Sequence, residues 1–170
     1  DAKFFWEKDK SQNLVKQVIN LKNINFYNKL GNLFHKVQRT RKLGSLISDH
    51  LNLSKEKIEI SISISKVDLL SDLVNEFPEL QGILGSYFAK EQGFDNDISL
   101  AIKEHYLPLG LNSKVPKKPI SISVAIVDKI DTLVGFFGIN EKPTSSKDPF
   151  ALRRAALGLI RIIVENNLKL

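Results

Sequence analysis

The sequence contains no cysteine and no methionine among its 170 residues. Without cysteine the chain cannot form a disulfide, a thiolate zinc site or a cysteine nucleophile, which excludes the proteins and enzymes that depend on these groups. The absence of thiols fits a reducing cytoplasm. Since the chain begins at Asp1 without an initiator methionine, we expect a piece of a longer polypeptide with no activity of its own.

Long apolar runs and nucleotide-binding signatures are also missing. No stretch approaches the roughly twenty apolar residues needed to cross a bilayer, and the charged start Asp1–Lys10 is not a secretory signal. We therefore predict a soluble, cytoplasmic protein without membrane contacts. The sequence has neither a glycine-rich phosphate loop nor a Gly-x-Ser-x-Gly elbow, so no known signature assigns ATP binding or serine hydrolysis to it.

Positive charge is in modest excess. The formal net charge is +6, and 42% of the residues are hydrophobic, which is enough for one main domain with a real core. A net positive charge attracts anionic partners over a screening distance of about 8 to 10 Å. It fits nucleic-acid binding, and it equally fits a protein that is charged for solubility.

Hydrophobic spacing predicts an all-α bundle. Residues 1–25 are interpreted as the tail of a preceding unit and a linker, with a short aromatic, strand-like segment at Ala2–Glu7, and residues 26–170 as the helical domain. Apolar residues at helical spacing, Ser54 as an N-cap, and Asp148 with Pro149 as the start of the last helix predict the helices. The predicted helices cover about 30–51, 54–78, 79–92, 97–107, 119–137 and 149–166, with loops at 109–118 and 138–147.

Two Ile-Ser runs give conflicting signals. Strict alternation of β-branched and polar residues in Ile58–Ser65 and in Pro119–Val124 is a strand pattern. Both runs continue without Gly or Pro into helical sequence, and serine is small enough for a close helix contact. We therefore predict helices for both.

Six short motifs stand out along the chain: Lys66–Leu69, Glu76–Gly82, Glu104–Tyr106, Val127–Gly135, Pro143–Thr144 and Asp148–Ala156. In order and in rough spacing they resemble the β chain of bacterial glycyl-tRNA synthetase. The resemblance implies that a separate α chain handles ATP, Mg²⁺ and glycine in an α2/β2 assembly. It implies that the β chain supplies contacts to tRNA(Gly), and that this domain needs no cofactor.

The helix order also resembles the HD domain, whose catalytic members hold a metal with a His, a His-Asp pair and a later Asp. In this chain Arg39 stands at the first His, Ser65 and Lys66 at the His-Asp pair, and only Asp128 matches. Ammonium and guanidinium groups repel a divalent cation and donate no lone pair. We therefore predict no metal and no catalytic residue. Asp128 and Asp131 offer two carboxylates three residues apart, but without a nearby histidine they are interpreted as a capped or salt-bridged helix face. His105 either packs or transfers a proton.

Cations near residue 40 are the first candidates for contacts with RNA phosphates. Lys36, Arg39 and Lys42 follow at three-residue steps with Arg41 beside them, so we expect one broad basic face. Lys66 either meets a phosphate or terminal ribose or forms a salt bridge with Asp128.

The last helix supplies two more candidates. Arg154 and Arg161 lie on one stripe of it, and the glycine between them, Gly158, suggests a close approach by RNA or another chain. Alternatively, Arg153 and Arg154 fix the loop Thr144–Lys147.

Three hypotheses follow. The first is a non-catalytic domain of the synthetase β subunit that positions tRNA. The second is a scaffold that only orients its neighbours, and the third is a surviving metal-dependent phosphohydrolase.

Overall fold

The computed structural model describes residues 2–169, so Asp1 and Leu170 lie outside the described residues. Nine α-helices account for most of this range, and the prediction of an all-α fold is confirmed. The helices are α1 (Ala2–Lys10), α2 (Leu14–Gln17), α3 (Leu33–Leu51), α4 (Lys55–Ile64), α5 (Asp72–Glu76), α6 (Ile83–Glu91), α7 (Asn96–Glu104), α8 (Pro119–Gly138) and α9 (Leu152–Glu165). Short 3₁₀ segments occur at Val18–Asn23, Val67–Leu70 and Pro78–Leu80, and the strands β1 (Asn25–Tyr27) and β2 (Gly31–Asn32) pair antiparallel.

The strand-like N-terminal segment is a wrong prediction, because Ala2–Lys10 is a helix. Tertiary packing decides its conformation: the Trp6 ring lies 5.5 Å from the Phe88 ring of α6. The Asp9 carboxylate, only 6% exposed, accepts hydrogen bonds from the first backbone N–H groups of α5. Six aromatic-rich residues are too short to show a period, so the sequence could not distinguish the two conformations. The division at residue 25 stays a prediction.

The first Ile-Ser run is helical, as predicted, and Ser54 caps α4 by accepting from the backbone N–H of Lys57. Ser61 and Ser63 each donate to a carbonyl one turn earlier on the same helix, at 2.7 Å, so their hydroxyls need no outside partner. Gly44 lets α3 approach α4 closely, since a Cβ there would lie 2.4 Å from Ile62 Cδ1.

The second Ile-Ser run opens α8, and this prediction is also confirmed. Pro119 occupies the first turn, where its missing N–H costs nothing. α8 packs against α3, α4, α7 and α9. Every residue from Ile120 to Val127 is buried, so this part of α8 has no face in contact with solvent. This central position explains the nearly continuous apolar sequence.

The segment after α4 is more broken than predicted. The helix predicted from Ser54 to Pro78 is interrupted: α4 ends at Ile64, a 3₁₀ turn spans Val67–Leu70, and Ser71 adopts an extended conformation that caps α5. Gly82, with φ +79°, then starts α6 later than expected. The predicted helix at 97–107 is shorter as well, ending at Glu104.

The last helix begins at Leu152 and not at Pro149. Ala151 is the N-cap, with φ +52°, so the predicted cap position of Asp148 is wrong by three residues. The Asp148 carboxylate still accepts hydrogen bonds from the backbone N–H groups of Leu152 and Arg153, at 2.8 and 2.9 Å. Both predicted loops are present. Within residues 2–169, no helix combines the length and the apolar character that a membrane crossing requires.

Candidate functional site

Charged side chains from α3, α8 and the end of α4 meet inside the bundle. Lys66 Nζ lies 3.2 Å from Asp128 Oδ1, and Lys36 Nζ lies 3.6 Å from the same oxygen. The Lys36 and Lys66 side chains are 5% and 9% exposed. The salt bridge between Lys66 and Asp128, one of the two alternatives predicted from the sequence, is confirmed.

Asp131 extends this group by one helical turn. Its carboxylate accepts from Lys36 Nζ at 3.0 Å and from Arg39 Nε and Nη2 at 2.7 and 3.1 Å. The predicted salt-bridged face at Asp128 and Asp131 is confirmed, although the sequence did not identify Lys36 and Arg39 as the partners. We refer to Lys36, Arg39, Lys66, Asp128 and Asp131 as the buried charge cluster.

The cluster keeps Asp128 ionised. Burial alone would raise the pKa of Asp128, but the ammonium groups of Lys36 and Lys66 hold it far below its ordinary value. Lys129 beside it is buried, which lowers the pKa of its ammonium to about 8. Lys129 Nζ donates to the carbonyl oxygen of Leu107 at 2.7 Å and so ties α8 to the loop after α7.

His105 and Tyr106 lie beside the cluster. The imidazole is fully buried, and the loss of water lowers the pKa of His105 to about 3, so the ring is neutral near neutral pH. Its Nδ1 lies 2.6 Å from the carbonyl oxygen of Ile102. Lys66 Nζ lies 4.0 Å from the centre of the Tyr106 ring. This burial favours the packing role for His105 over proton transfer.

Asp68 is a buried residue that the sequence analysis did not single out, although it belongs to the motif Lys66–Leu69. Its Oδ2 accepts from the backbone N–H groups of Gly82 and Gly85 at 2.6 and 3.1 Å. Desolvation raises the pKa of Asp68 to about 6 despite these bonds and the charge of Lys66. Asp68 therefore fixes the glycine-containing turn that leads into α6.

The cluster leaves little room for an ion. The cavity between Lys36, Ser65, Lys66 and Asp128 measures about 10 Å³, close to the minimum for one water molecule. Among residues 2–169, no group of three or more His, Cys, Asp or Glu side chains lies close enough to hold a metal. The two lysines fill the space with positive charge instead.

Comparison with known proteins gives the family. A protein-family model described as "Glycyl-tRNA synthetase beta subunit" matches residues 1–170. The chain belongs to the glycyl-tRNA synthetase β-subunit family.

Its relatives are curated glycine–tRNA ligase β subunits. That of Rhodospirillum centenum is 48% identical over 172 residues, covering 99% of this chain and 24% of the relative. Those of Phenylobacterium zucineum and Pseudomonas savastanoi pv. phaseolicola are each 46% identical, covering all of this chain and 26% and 25% of the relatives. The chain thus spans about a quarter of the length of the curated relatives it matches.

In this β-subunit chain, the cations near residue 40 do not form one shared face, contrary to expectation. Lys36 points into the bundle and Arg39, with its side chain 37% exposed, is held by Asp131. Arg41 lies on the surface, 3.5 Å from Glu59, and Lys42 is exposed beside it. α8 covers one side of α3, and spacing alone could not show which side. Only Arg41 and Lys42 are exposed among the candidates for phosphate contacts in this region, which are Lys36, Arg39, Arg41, Lys42 and Lys66.

Arg153 and Arg161 of the β-subunit chain hold its own loops. Arg153 Nη2 donates to the carbonyl oxygen of Thr144, which confirms the predicted anchoring of that loop for Arg153. Arg161 donates to the carbonyl oxygens of Gly110, Leu111 and Ser113 and pairs with Glu165 at 2.8 Å.

Arg154 is exposed and forms no hydrogen bond within the described part of the chain. The close approach expected at Gly158 comes from within the chain itself. A Cβ at Gly158 would lie 3.0 Å from Lys129 Cε and 3.2 Å from Pro108 Cδ.

Proposed function

We propose that this chain is a non-catalytic, HD-like helical portion of a glycine–tRNA ligase β subunit that helps to bind and position tRNA(Gly). The observation that carries the proposal is Lys66 Nζ at 3.2 Å from Asp128 Oδ1, where an HD hydrolase would have metal-bound acidic and imidazole ligands. A second ammonium, from Lys36, contacts the same oxygen. A carboxylate neutralised in this way is a poor ligand for a divalent cation.

The chemistry of glycylation belongs, in this proposal, to a separate α subunit. The sequence carries no nucleotide-binding signature, and the chain belongs to a β-subunit family. ATP and Mg²⁺ are therefore assigned to the α subunit of a cytoplasmic α2/β2 enzyme. This chain would act on the nucleic acid alone.

Phosphate contacts are assigned to exposed cations. Arg41 and Lys42 border an open surface depression together with Gln38, Ser45 and Glu59, so their charges reach solvent. Cations that contact backbone phosphates release counterions, which makes RNA affinity fall with salt. Lys36 and Lys66 contribute long-range positive charge from within the bundle, although their ammonium groups already contact carboxylates.

Charge reversal in the complete α/β enzyme tests this assignment. We expect R41E/K42E to weaken tRNA(Gly) binding about tenfold and to reduce the salt slope of log K by about 2, as measured by filter binding across salt concentrations. The matched control is K16E/K90E, because both lysines are exposed and form no ion pair in residues 2–169. Equal affinities for the two double variants would refute the assignment.

A purely structural role is the second candidate. It is favoured by the internal contacts of Arg39, Arg153 and Arg161, whose side chains bind a carboxylate or a carbonyl oxygen of the same chain. A scaffold predicts that R41E/K42E changes neither tRNA affinity nor salt slope. The phosphohydrolase alternative predicts stoichiometric metal in the purified chain that is lost in D128N, whereas the ion pairs of Asp128 disfavour it.

A further inference from the structure

An open cleft lies between the C-terminal end of α7, the middle of α8 and the start of α9. Its volume is about 790 Å³, within the range of roughly 300 to 1,000 Å³ that small-molecule sites occupy. Asp128 and Tyr106, which contact Lys66, form part of its lining. The buried charge cluster therefore supports one wall of this cleft.

Three exposed cations border the cleft: Lys103, Lys114 and Arg154. Their side chains form no hydrogen bond and no ion pair with any other residue in the range 2–169. They come from α7, the following loop and α9, so the fold brings together charges that are distant in sequence. An anionic group that enters the cleft meets these cations, although the carboxylates of Glu79, Glu104 and Asp128 also line it.

Part of the lining is apolar. Ile83, Leu109 and Phe150 line the cleft, and Leu109 is 62% exposed. The Phe150 ring is fixed by stacking on Phe136, with ring centres 4.2 Å apart. An aromatic ring in the wall of a cleft offers a surface on which a nucleobase can stack.

Glu104 adds a requirement for a hydrogen-bond donor. It lines the cleft, and its Oε2 is buried without a hydrogen-bond partner among the described residues. Buried polar atoms are normally satisfied, so this oxygen marks a position where a ligand donor would complete the site. The 2′-hydroxyl of a ribose is such a donor, and it is the group by which proteins distinguish RNA from DNA.

We propose that the cleft binds one unpaired ribonucleotide at the end of an RNA strand. Arg154 and Lys114 contact the phosphate, the apolar wall receives the base, and Glu104 accepts a hydrogen bond from the ribose 2′-hydroxyl. The inference rests on the proposed RNA-binding function and gives it a second, chemically distinct contact. It explains why three cations that form no ion pair within residues 2–169 converge on one cleft.

The test uses the full-length β subunit without the α subunit, to which ATP is assigned. Fluorescence anisotropy measures the binding of a labelled single-stranded RNA hexamer that ends in adenosine. We expect R154E and K114E each to weaken binding about tenfold. We expect E104Q to reduce the preference for RNA over DNA of the same sequence, and AMP to compete better than dAMP.

The matched control is K55E. Lys55 is also exposed and begins α4, two residues before Lys57. Lys57 pairs with Asp97 in the first turn of α7 at 3.0 Å, so Lys55 lies near the end of α7 that is opposite to the cleft. Equal effects of R154E and K55E, or equal binding of RNA and DNA by the unaltered subunit, would overturn the inference. Competition by AMP without binding of the hexamer would also overturn it, in favour of a free nucleotide.

The outcome can be separated from that of the proposed function. If R41E/K42E weakens tRNA binding while R154E leaves hexamer binding unchanged, the cleft assignment fails and the surface assignment stands. If R154E weakens hexamer binding while R41E/K42E has no effect on tRNA, the reverse holds.

Discussion

Replacement of Asp131 by asparagine should destabilise the chain by about 3 kcal/mol. Asp131 is 6% exposed at its side chain and accepts three hydrogen bonds from Lys36 and Arg39. Removing one partner of a buried ion pair typically costs about 3 to 5 kcal/mol, because the other charge stays buried without compensation. Lys36 keeps Asp128 and Thr132 within 3.6 Å, and Arg39 is partly exposed, so the lower end applies.

The measurement is urea unfolding of the 170-residue chain followed by far-UV circular dichroism. A loss of about 3 kcal/mol corresponds to a fall in Tm of roughly 6 to 12 °C for a chain of this size. D49N is the matched control, since Asp49 is exposed and forms no ion pair in residues 2–169. We expect it to change stability by less than about 0.5 kcal/mol.

A double variant separates loss of an ion pair from loss of shape. In K36M/D131L both buried charges are replaced by apolar side chains, and Arg39 can turn to water because it is 37% exposed. Replacing a buried ion pair by apolar residues of similar volume is often neutral or stabilising relative to the intact pair. The double variant should therefore be no less stable than D131N. If D131N is as stable as D49N, the view of Asp131 as a buried counter-ion is refuted.

Two further predictions concern packing and pH. G44A should lower the free energy of unfolding by about 1 kcal/mol, because the new Cβ would lie 2.4 Å from Ile62 Cδ1. The higher helix propensity of alanine offsets only part of this strain. G138A is the control: a Cβ there meets open space, so this variant should be neutral in the same urea titration. The pKa of Asp68 is raised to about 6 in the folded chain, whereas the unfolded chain releases this proton near pH 4. Between these pH values the folded chain binds more protons than the unfolded chain. The free energy of unfolding should therefore fall by up to about 3 kcal/mol as pH rises from 4 to above 6. D68N should lack this part of the pH dependence in parallel unfolding curves, and identical slopes would contradict the assignment.

The long helices were predictable because their signals are local. α3, α4 and α8 combine apolar spacing with a cap or a proline at the right place, and the serines of the Ile-Ser runs bond to their own helix. The N-terminal helix was missed because nine residues packed on α6 carry too little pattern. The break at Ser71 and the left-handed Ala151 depend on tertiary packing, which the sequence does not express as a period.

The site was predictable only in part. The contact between Lys66 and Asp128 was one of two alternatives suggested by the resemblance to the HD domain, which brings these distant positions together. The pairing of Lys36 and Arg39 with Asp131 could not be read from a three-residue spacing, because that spacing does not say which side of α3 faces α8. The cleft cations lie on separate elements, at Lys103, Lys114 and Arg154, so no local pattern connects them.

The sharing of Asp128 by two lysines limits how this chain can evolve. Lys36 and Lys66 come from different segments and contact the same carboxylate oxygen. Replacing either one by a neutral residue leaves the other ammonium in place, so no single mutation clears the position for a metal ion. Each intermediate would also carry a poorly compensated buried charge and lose stability. Two substitutions, at Lys36 and at Lys66, are therefore needed before Asp128 loses both of its ammonium neighbours.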